Sequence, residues 1–429
     1  MIKLLHSSDW HLGKSLFAKS LLDDQAQALA ELTTMIVSEK PNLIILAGDL
    51  FDRSVPPEDA VRLLDQFLVN AILKLGVPVA MIPGNHDSST RVGVSAGLLR
   101  SAGLHVFATP ASIALPLRIS GDGVEASVYG IPFLEPAEWG FHFGRTLRTH
   151  SEALEAILES LEPSLTEDRA AGRRTVLILH AYVTGGEASD SERPLSIGGS
   201  DLVSAELLEK FDYVALGHLH RPQSVLHDRI RYPGSLFPYS QSEASQPKGA
   251  MIVSLAPAVP RMATNAGARD EFRFAEFRTT RSLRVVRGEL DALVAQAAEE
   301  KTAATEKGAA SAAADVTDRA NRHRDDYIIA VLTDSSLPFE AYRRLHQVYP
   351  GLLHVARDVA WTREGAETAD GASRANSDRH LREVSDRDML AQFILAASNG
   401  DLTDEDREWL VQELEAFATV EKISTEVST

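Results

Sequence analysis

The chain of 429 residues has no cysteine, which excludes disulfide staples and cysteine-ligated zinc. It has no apolar run near the ~20 residues that cross a bilayer. Its first residues, Met1-Ile2-Lys3-Leu4-Leu5-His6, turn polar at once and lack the apolar stretch of a signal peptide. The cytoplasm is the location these absences suggest. Aromatics are sparse at 6%, but 44% apolar and 24% charged residues are ordinary for a soluble globular protein, and the length suits one large domain with smaller additions. Positive charge is also short: 43 Lys and Arg face 61 Asp and Glu, a net −18, of which residues 380–429 carry −8. That balance argues against a polyanionic ligand, unless bound cations reverse the local sign or a partner supplies basic surface.

What is present is a recurring arrangement. Five short apolar runs each end in Asp, Asn or His. Residues 2–5 precede Ser8-Asp9-Trp10-His11, and 43–47 precede Gly48-Asp49. Residues 77–82 precede Gly84-Asn85-His86-Asp87, 175–179 precede His180, and 213–216 precede Gly217-His218-Leu219-His220. Runs of this length, rich in Val, Ile and Leu, read as buried strands. Ligands of layered α/β folds bind beyond the carboxyl ends of such strands, so the five clusters should share one crevice. Leu22, Ala26, Leu29 and Ile36 recur at helical spacing up to Pro41, and 60–71 form a second apolar stripe. Strand and helix thus alternate, which predicts an α/β core.

Beyond about residue 225 the signals become β-rich. Residues 229–232, 250–255, 272–277 and 282–286 read as short strands closing the same domain, with a flexible hairpin tip at 256–268. Residues 296–323 are Ala-rich without an apolar stripe and read as a mobile, partly helical insertion. A strand at 327–333, a helix at 339–349 and a strand at 352–355 predict a small second domain, followed by a linker at 365–376. Ser385 with Asp388, and Thr403 with Asp406, cap two amphipathic helices separated by Asn399-Gly400. Two such helices in tandem behind a linker suit a partner groove, although an amphipathic helix more often simply faces its own core.

Asp9, His11, Asp49, Asn85, His180, His218 and His220 offer carboxylate, amide and imidazole donors without sulfur. One aspartate bridging two ions, with three further ligands for each, accounts for all seven. Two cations ~3.5–4 Å apart can clamp both the attacking and leaving oxygens of an in-line displacement. Asp-x-His or His-x-His alone is more often a turn; the weight lies in all five clusters occurring at strand ends. A Ser8/His6 nucleophile pair is conceivable from spacing but leaves the other clusters unexplained. Lys14, Arg53, Arg91, Arg221 and Arg229 lie near the clusters in sequence and read equally as phosphate contacts or as surface cations with local partners.

Asp9-x-His11, Gly48-Asp49-x-x-Asp52, Gly84-Asn85-His86-Asp87, His180 and Gly217-His218-x-His220 resemble the calcineurin-like metallophosphoesterase superfamily. Asp9-Trp10-His11-Leu12-Gly13-Lys14, Gly217-His218-Leu219-His220-Arg221-Pro222-Gln223 and Tyr232-Pro233-Gly234-Ser235 narrow the resemblance to its SbcD nucleases, strongly over 1–290. The resemblance implies a four-layer core of two mixed sheets flanked by helices over 1–290. It further implies a small α/β cap domain over 291–365, a linker over 366–384 and a helical hairpin over 385–420 that binds an SbcC-type ATPase. Asp9, His11, Asp49 and His220 would hold one ion, and Asp49, Asn85, His180 and His218 the other, with manganese favoured and magnesium an alternative. His86 would stabilise the transition state and protonate the leaving oxygen; its plainer reading is a loop histidine bonded to Asp52 or Asp87. Asp52 would support the ligands without binding metal. The implied activity is ATP-stimulated 3′-to-5′ exonuclease and hairpin endonuclease on DNA, by a nucleoid-associated homodimer. The chain has no Gly-x-x-x-x-Gly-Lys-Ser/Thr loop, so ATP would act through the partner. Hydrolysis of small phosphodiesters or phosphoproteins, and a non-catalytic scaffold, are the alternatives; no ligand is missing, which disfavours the scaffold.

Overall fold

A computed structural model describes residues 1–358 except 114, 134, 193–200, 259–268, 279–280, 311–325, 335–337 and 339, with 301–310 described as backbone. The expected linker and helical hairpin, part of the hairpin tip and residues 311–323 of the Ala-rich segment lie outside the described residues.

Strand Ile2–Ser7 organises the first sheet. It runs parallel to Leu43–Ala47 and antiparallel to Gly249–Leu255. Val79–Ile82 and Leu104–Val106 extend the sheet on one side, and Glu271–Glu276 closes the other, giving six strands. A second six-stranded sheet has the order Gln223–Val225, His227–Tyr232, Tyr213–Gly217, Arg174–His180, Val124–Ile131, Leu117–Gly121. Both are mixed sheets with parallel centres. Their central strands are apolar on both faces, as sheets covered on both sides require.

The period-2 alternation sorts these side chains into layers. Leu5, Ile44 and Leu46 pack on helices Leu22–Glu39 and Glu58–Val69. Leu4, Leu43, Ile45 and Ala80 point the other way, onto Val128, Val176, Ile178 and Ala215 of the second sheet. The outer face of that sheet, with Leu177, Leu179, Val214 and Leu216, is covered by helix His150–Ala170. The result is helix, sheet, sheet, helix, the four-layer α/β core expected. Lys40 ends the first helix in the left-handed conformation, immediately before the Pro41 stop.

Two findings differ from the sequence expectations. Strand Leu283–Gly288, expected to close the large domain, instead pairs in parallel with Tyr327–Leu332, which pairs in parallel with Leu352–Arg357. Its Leu283 and Val286 are buried: Val286 packs with the helices of the small sheet, and Leu283 with Tyr327 and Ile329 of that sheet and with Leu21, Phe237 and Tyr239 of the large core. The start of the Ala-rich segment is no insertion: it continues a helix, Leu290–Ala310, whose Leu290, Leu293 and Ala297 pack on the small sheet with Leu345. Its apolar stripe begins ahead of the Ala-rich stretch, so the stretch read by itself shows none.

The other face of the small sheet, Tyr327, Ile329 and Val331, packs against Leu21, Phe237 and Tyr239 of the large core. The Tyr327 hydroxyl donates to Asp24 Oδ2 at 2.8 Å. Nearby, the Phe17 ring stacks on His354, with centroids 4.4 Å apart.

Candidate metal centre

The central strands of both sheets point their carboxyl ends to one edge of the sandwich. Asp9 and His11 follow Ile2–Ser7, Asp49 follows Leu43–Ala47, and Asn85 and His86 follow Val79–Ile82. From the facing sheet, His180 ends Arg174–His180, and His218 and His220 follow Tyr213–Gly217. All the expected site residues converge there. The chain must turn sharply at each strand end to aim them inward. Asp9, His11, Asp49 and His218 consequently adopt positive φ, of 52°, 44°, 48° and 110°. Left-handed backbone at non-glycine residues is costly and collects at functional sites.

Glycines make the close approach possible. A Cβ on Gly217 would lie 1.8 Å from the Ala47 carbonyl oxygen, and one on Gly84 would lie 2.2 Å from Asp49 Oδ1. The Gly-Asp, Gly-Asn-His and Gly-His-x-His motifs thus keep their glycines because opposing strand ends touch there.

Asp49 stands in the middle. Its Oδ2 lies 3.6 Å from His11 Nε2 and 3.5 Å from His180 Nε2, while Oδ1 accepts the His86 backbone N–H at 2.8 Å. On one flank, His11 Nε2 and His220 Nε2 face each other at 3.1 Å, grouped with the Asp9 carboxylate. On the other, Asn85 Oδ1 lies 2.9 Å from His180 Nε2 and 3.2 Å from His218 Nδ1. Asp9 accepts the His218 backbone N–H at 3.0 Å. Asp9, His11, Asp49, His180, His218 and His220 are all buried, whereas Asn85 and His86 are half-buried and mark the open side.

Loss of water dominates the electrostatics. Burial pushes Asp9 up to about 6, against the pull of His180 and His220. Burial acts upward on Asp49 as well, but His180 and His11 hold it well below the usual carboxylate range. Burial drives His218 down to about 3 and His11 well below its ordinary value. His180 rises to about 9 despite burial, because Asp49 lies against it. Carboxylates and imidazoles this dry and this crowded need a counter-charge.

The donor set fits a divalent cation. Two imidazole nitrogens bound to one ion at about 2.0–2.1 Å each stand about 3.1–3.4 Å apart, which the His11/His220 pair matches. Oxygen and imidazole donors without sulfur suit divalent ions of the first transition row. Outer contacts fix the rings. His180 donates its Nδ1–H to the Ala47 carbonyl at 2.8 Å, which turns Nε2 to the centre.

His86 meets Asp52 through the backbone: its Nδ1–H donates to the Asp52 carbonyl at 2.8 Å. The Asp52 carboxylate instead takes Lys14 Nζ at 2.7 Å and lies 3.8 Å from His11 Nδ1. Asp87 joins two loops by accepting the backbone N–H groups of Leu50, Phe51 and Gly84; burial, with Asp49 nearby, pushes it up to about 7. His6 does not pair with Ser8. It sits between the sheets against the Tyr213 hydroxyl and the Leu216 carbonyl, and Ser8 donates to Asp9 at 2.5 Å. The five cations singled out in the sequence all have protein partners: Lys14 and Arg53 at Asp52, Arg91 at the Ser54 carbonyl, Arg221 at Glu187, and Arg229 at the Phe211 and Glu209 carbonyls.

Sequence reasoning missed Glu192, Glu243 and Lys248, which gather behind His220. Ser-Gln-Ser-Glu-Ala-Ser-Gln-Pro-Lys reads as a solvated loop, and nothing in its composition signals burial.

Among solved structures, a Thermus thermophilus protein, TT1561, aligns over 55% of this chain and 90% of its own at 16% identity, with a TM-score of 0.34. GAP50, described as the anchor in the inner membrane complex of Plasmodium, aligns over 66% and 86% at 11% identity (TM-score 0.40). A dimetal phosphatase from Danio rerio aligns over 64% and 98% at 14% identity (TM-score 0.40). The calcineurin-like phosphoesterase family model matches residues 2–222, and the SbcD C-terminal model, described as the type 5 capsule protein repressor C-terminal domain, matches 279–397. The chain belongs to the calcineurin-like phosphoesterase family, as a metal-dependent phosphoesterase that carries an SbcD-type C-terminal domain.

Proposed function

We propose that this chain is a two-metal DNA phosphodiesterase, the nuclease partner of an SbcC-type ATPase. The observation that carries the two-metal reading is the position of Asp49: one carboxylate oxygen stands midway between His11 and His180, each of which belongs to a separate donor group. Asp9, His11, Asp49 and His220 would hold one ion, and Asp49, Asn85, His180 and His218 the other. Manganese is the ion we expect. When bound, the pair supplies Lewis acidity that makes hydroxide available near neutral pH.

The chain's own residues do the rest. Asp49 fixes the spacing between the two donor groups. Asn85 and His86, on the open side, meet the phosphodiester first. His86 holds its Nδ1 proton on the Asp52 carbonyl, so Nε2 is the free nitrogen; in the imidazolium form its N–H donates to the phosphoryl oxygens and gives its proton to the leaving oxygen. No side-chain nucleophile is required: Ser8 is committed to Asp9, and His6 lies between the sheets.

DNA as substrate is supported by the match of the SbcD C-terminal model. The need for a partner has a physical basis in the net charge of −18 and in the protein partners already held by the nearby cations. A duplex needs several unpaired basic side chains for phosphate contact, and an ATPase clamp would supply them. Exonuclease action from 3′ ends, hairpin cleavage and a homodimeric state are carried over from the SbcD resemblance.

The test compares wild type with His86→Ala on linear duplex and hairpin DNA, with and without manganese, and measures bound metal in both. Cleavage should require manganese and fall about 10²- to 10⁴-fold in the variant while two ions remain bound. Equal cleavage by both proteins would remove His86 from the chemistry. Preference for a cyclic nucleotide over DNA would refute the substrate assignment.

A further inference from the structure

Behind His220 lies a fully buried ion pair that the proposed chemistry does not use. Glu243 and Lys248 lie in the segment that joins His227–Tyr232 of the second sheet to Gly249–Leu255 of the first, and their carboxylate and ammonium meet at 2.6 Å. Glu243 Oε1 lies 3.2 Å from His220 Nδ1, and Ser191 Oγ lies 2.7 Å from the same nitrogen. Lys248 Nζ also donates to the His220 carbonyl at 3.0 Å and to Ser235 Oγ at 2.8 Å. The His220 N–H donates to Glu192 Oε1 at 2.6 Å. His220 is thereby held at its ring, its amide and its carbonyl. His11 has a looser counterpart, the Asp52 carboxylate 3.8 Å behind its Nδ1 with Lys14 on that carboxylate, whereas His180 has a neutral backbone carbonyl behind its ring.

Stability alone does not account for the pair. A buried ion pair carries a desolvation cost that its Coulomb attraction barely offsets, and apolar replacements of equal volume are often as stable. Its position does account for it. A carboxylate behind Nδ1 keeps the proton on that nitrogen and turns the Nε2 lone pair toward the centre. The lysine holds the carboxylate in place, and through the carbonyl it holds the His220 backbone as well.

We infer that Glu243 and Lys248 are positioning residues that orient His220 and so set the affinity of one cation position, that of Asp9, His11 and His220, while leaving the other unchanged. This rests on the two-metal reading above.

The test counts manganese ions on the full chain by calorimetric titration and follows the electron paramagnetic resonance signal of spin-coupled manganese. Two variants are compared with wild type: Glu243→Gln, and Glu243→Gln with Lys248→Met, which removes both charges and avoids an unpaired buried ammonium. Wild type should bind two ions and show the coupled signal. A folded variant should bind one ion with unchanged affinity and the other about 10- to 100-fold more weakly, with an uncoupled signal at manganese levels that fill only the first position. Two ions at wild-type affinity in either folded variant would overturn the assignment. Failure of both variants to melt cooperatively would also overturn it, because the pair would then be a folding element. Fewer than two ions on wild type is a distinct result that sinks the two-metal reading itself, and this inference with it.

Discussion

Replacing Gly217 by Ala should cripple the centre without replacing a ligand. The added methyl would lie 1.8 Å from the Ala47 carbonyl oxygen and 2.8 Å from His180 Nδ1. An ordinary carbon–oxygen contact is about 3.2–3.5 Å, so the strand ends must separate by about 1.5 Å. Neither obstacle is the free end of a flexible side chain. Ala47 closes a central strand of one sheet, and His180 is hydrogen-bonded to that same carbonyl. Relief therefore forces apart the two edges that carry Asp49 and His218. Overpacking of this kind costs about 1–3 kcal/mol, and displacement of a reacting group by 1 Å costs about 10²-fold in rate. The assay is manganese-dependent hydrolysis of bis(p-nitrophenyl) phosphate alongside a thermal melt. Gly97→Ala is the control, because a Cβ there meets nothing within 4 Å. Full turnover and an unchanged melt in Gly217→Ala would show that the strand ends are not in the tight contact argued here.

Chelation should abolish hydrolysis, and readdition of manganese at about 100 times its dissociation constant should restore it and add about 2.7 kcal/mol per filled position to stability in urea unfolding. Asp168 is held below the usual carboxylate range: burial opposes this, but Arg118, Tyr129 and Arg173 bond to the carboxylate. Its contribution is therefore present above the unfolded carboxylate pKa of about 3.9 and is lost as pH falls through the depressed folded value. Asp168→Asn should lose about 2 kcal/mol in denaturant melts at pH 7 and progressively less as pH falls below about 3.9; a loss that stays constant through that fall would contradict the ionic account. Trp10, fully buried edge-on to Phe67 and donating to Ser7 Oγ at 2.8 Å, should cost about 3–5 kcal/mol when replaced by Ala, read as a lower urea midpoint.

Much of the centre was legible because its chemistry is written locally. A strand that ends in Gly-Asp or Gly-Asn-His-Asp shows both the apolar run and its donor within about six residues. The ligand-bearing strands were visible for the same reason. Less visible was the region from 104 to 170, where Val124–Ile131 alternates imperfectly and the helix His150–Ala170 contains Pro163. Its signals were present: an Asp122-Gly123 turn between paired strands, and Thr149 capping the Glu152 amide. The Leu283–Gly288 assignment failed for a different reason. Strand character can be read from six residues, but the choice of sheet depends on partners forty residues away. The Glu243–Lys248 pair was invisible because burial of a charge is decided entirely by tertiary neighbours.

Four of the seven donors come from the first sheet and three from the second, and the apolar slab between the sheets must close before they meet. Neither half holds the full donor set by itself. During synthesis the chain would stay chemically inert until residues past His220 had emerged and docked, so a truncated or half-formed product would be a harmless one. For a protein read as a cutter of DNA, the topology is its own safety catch.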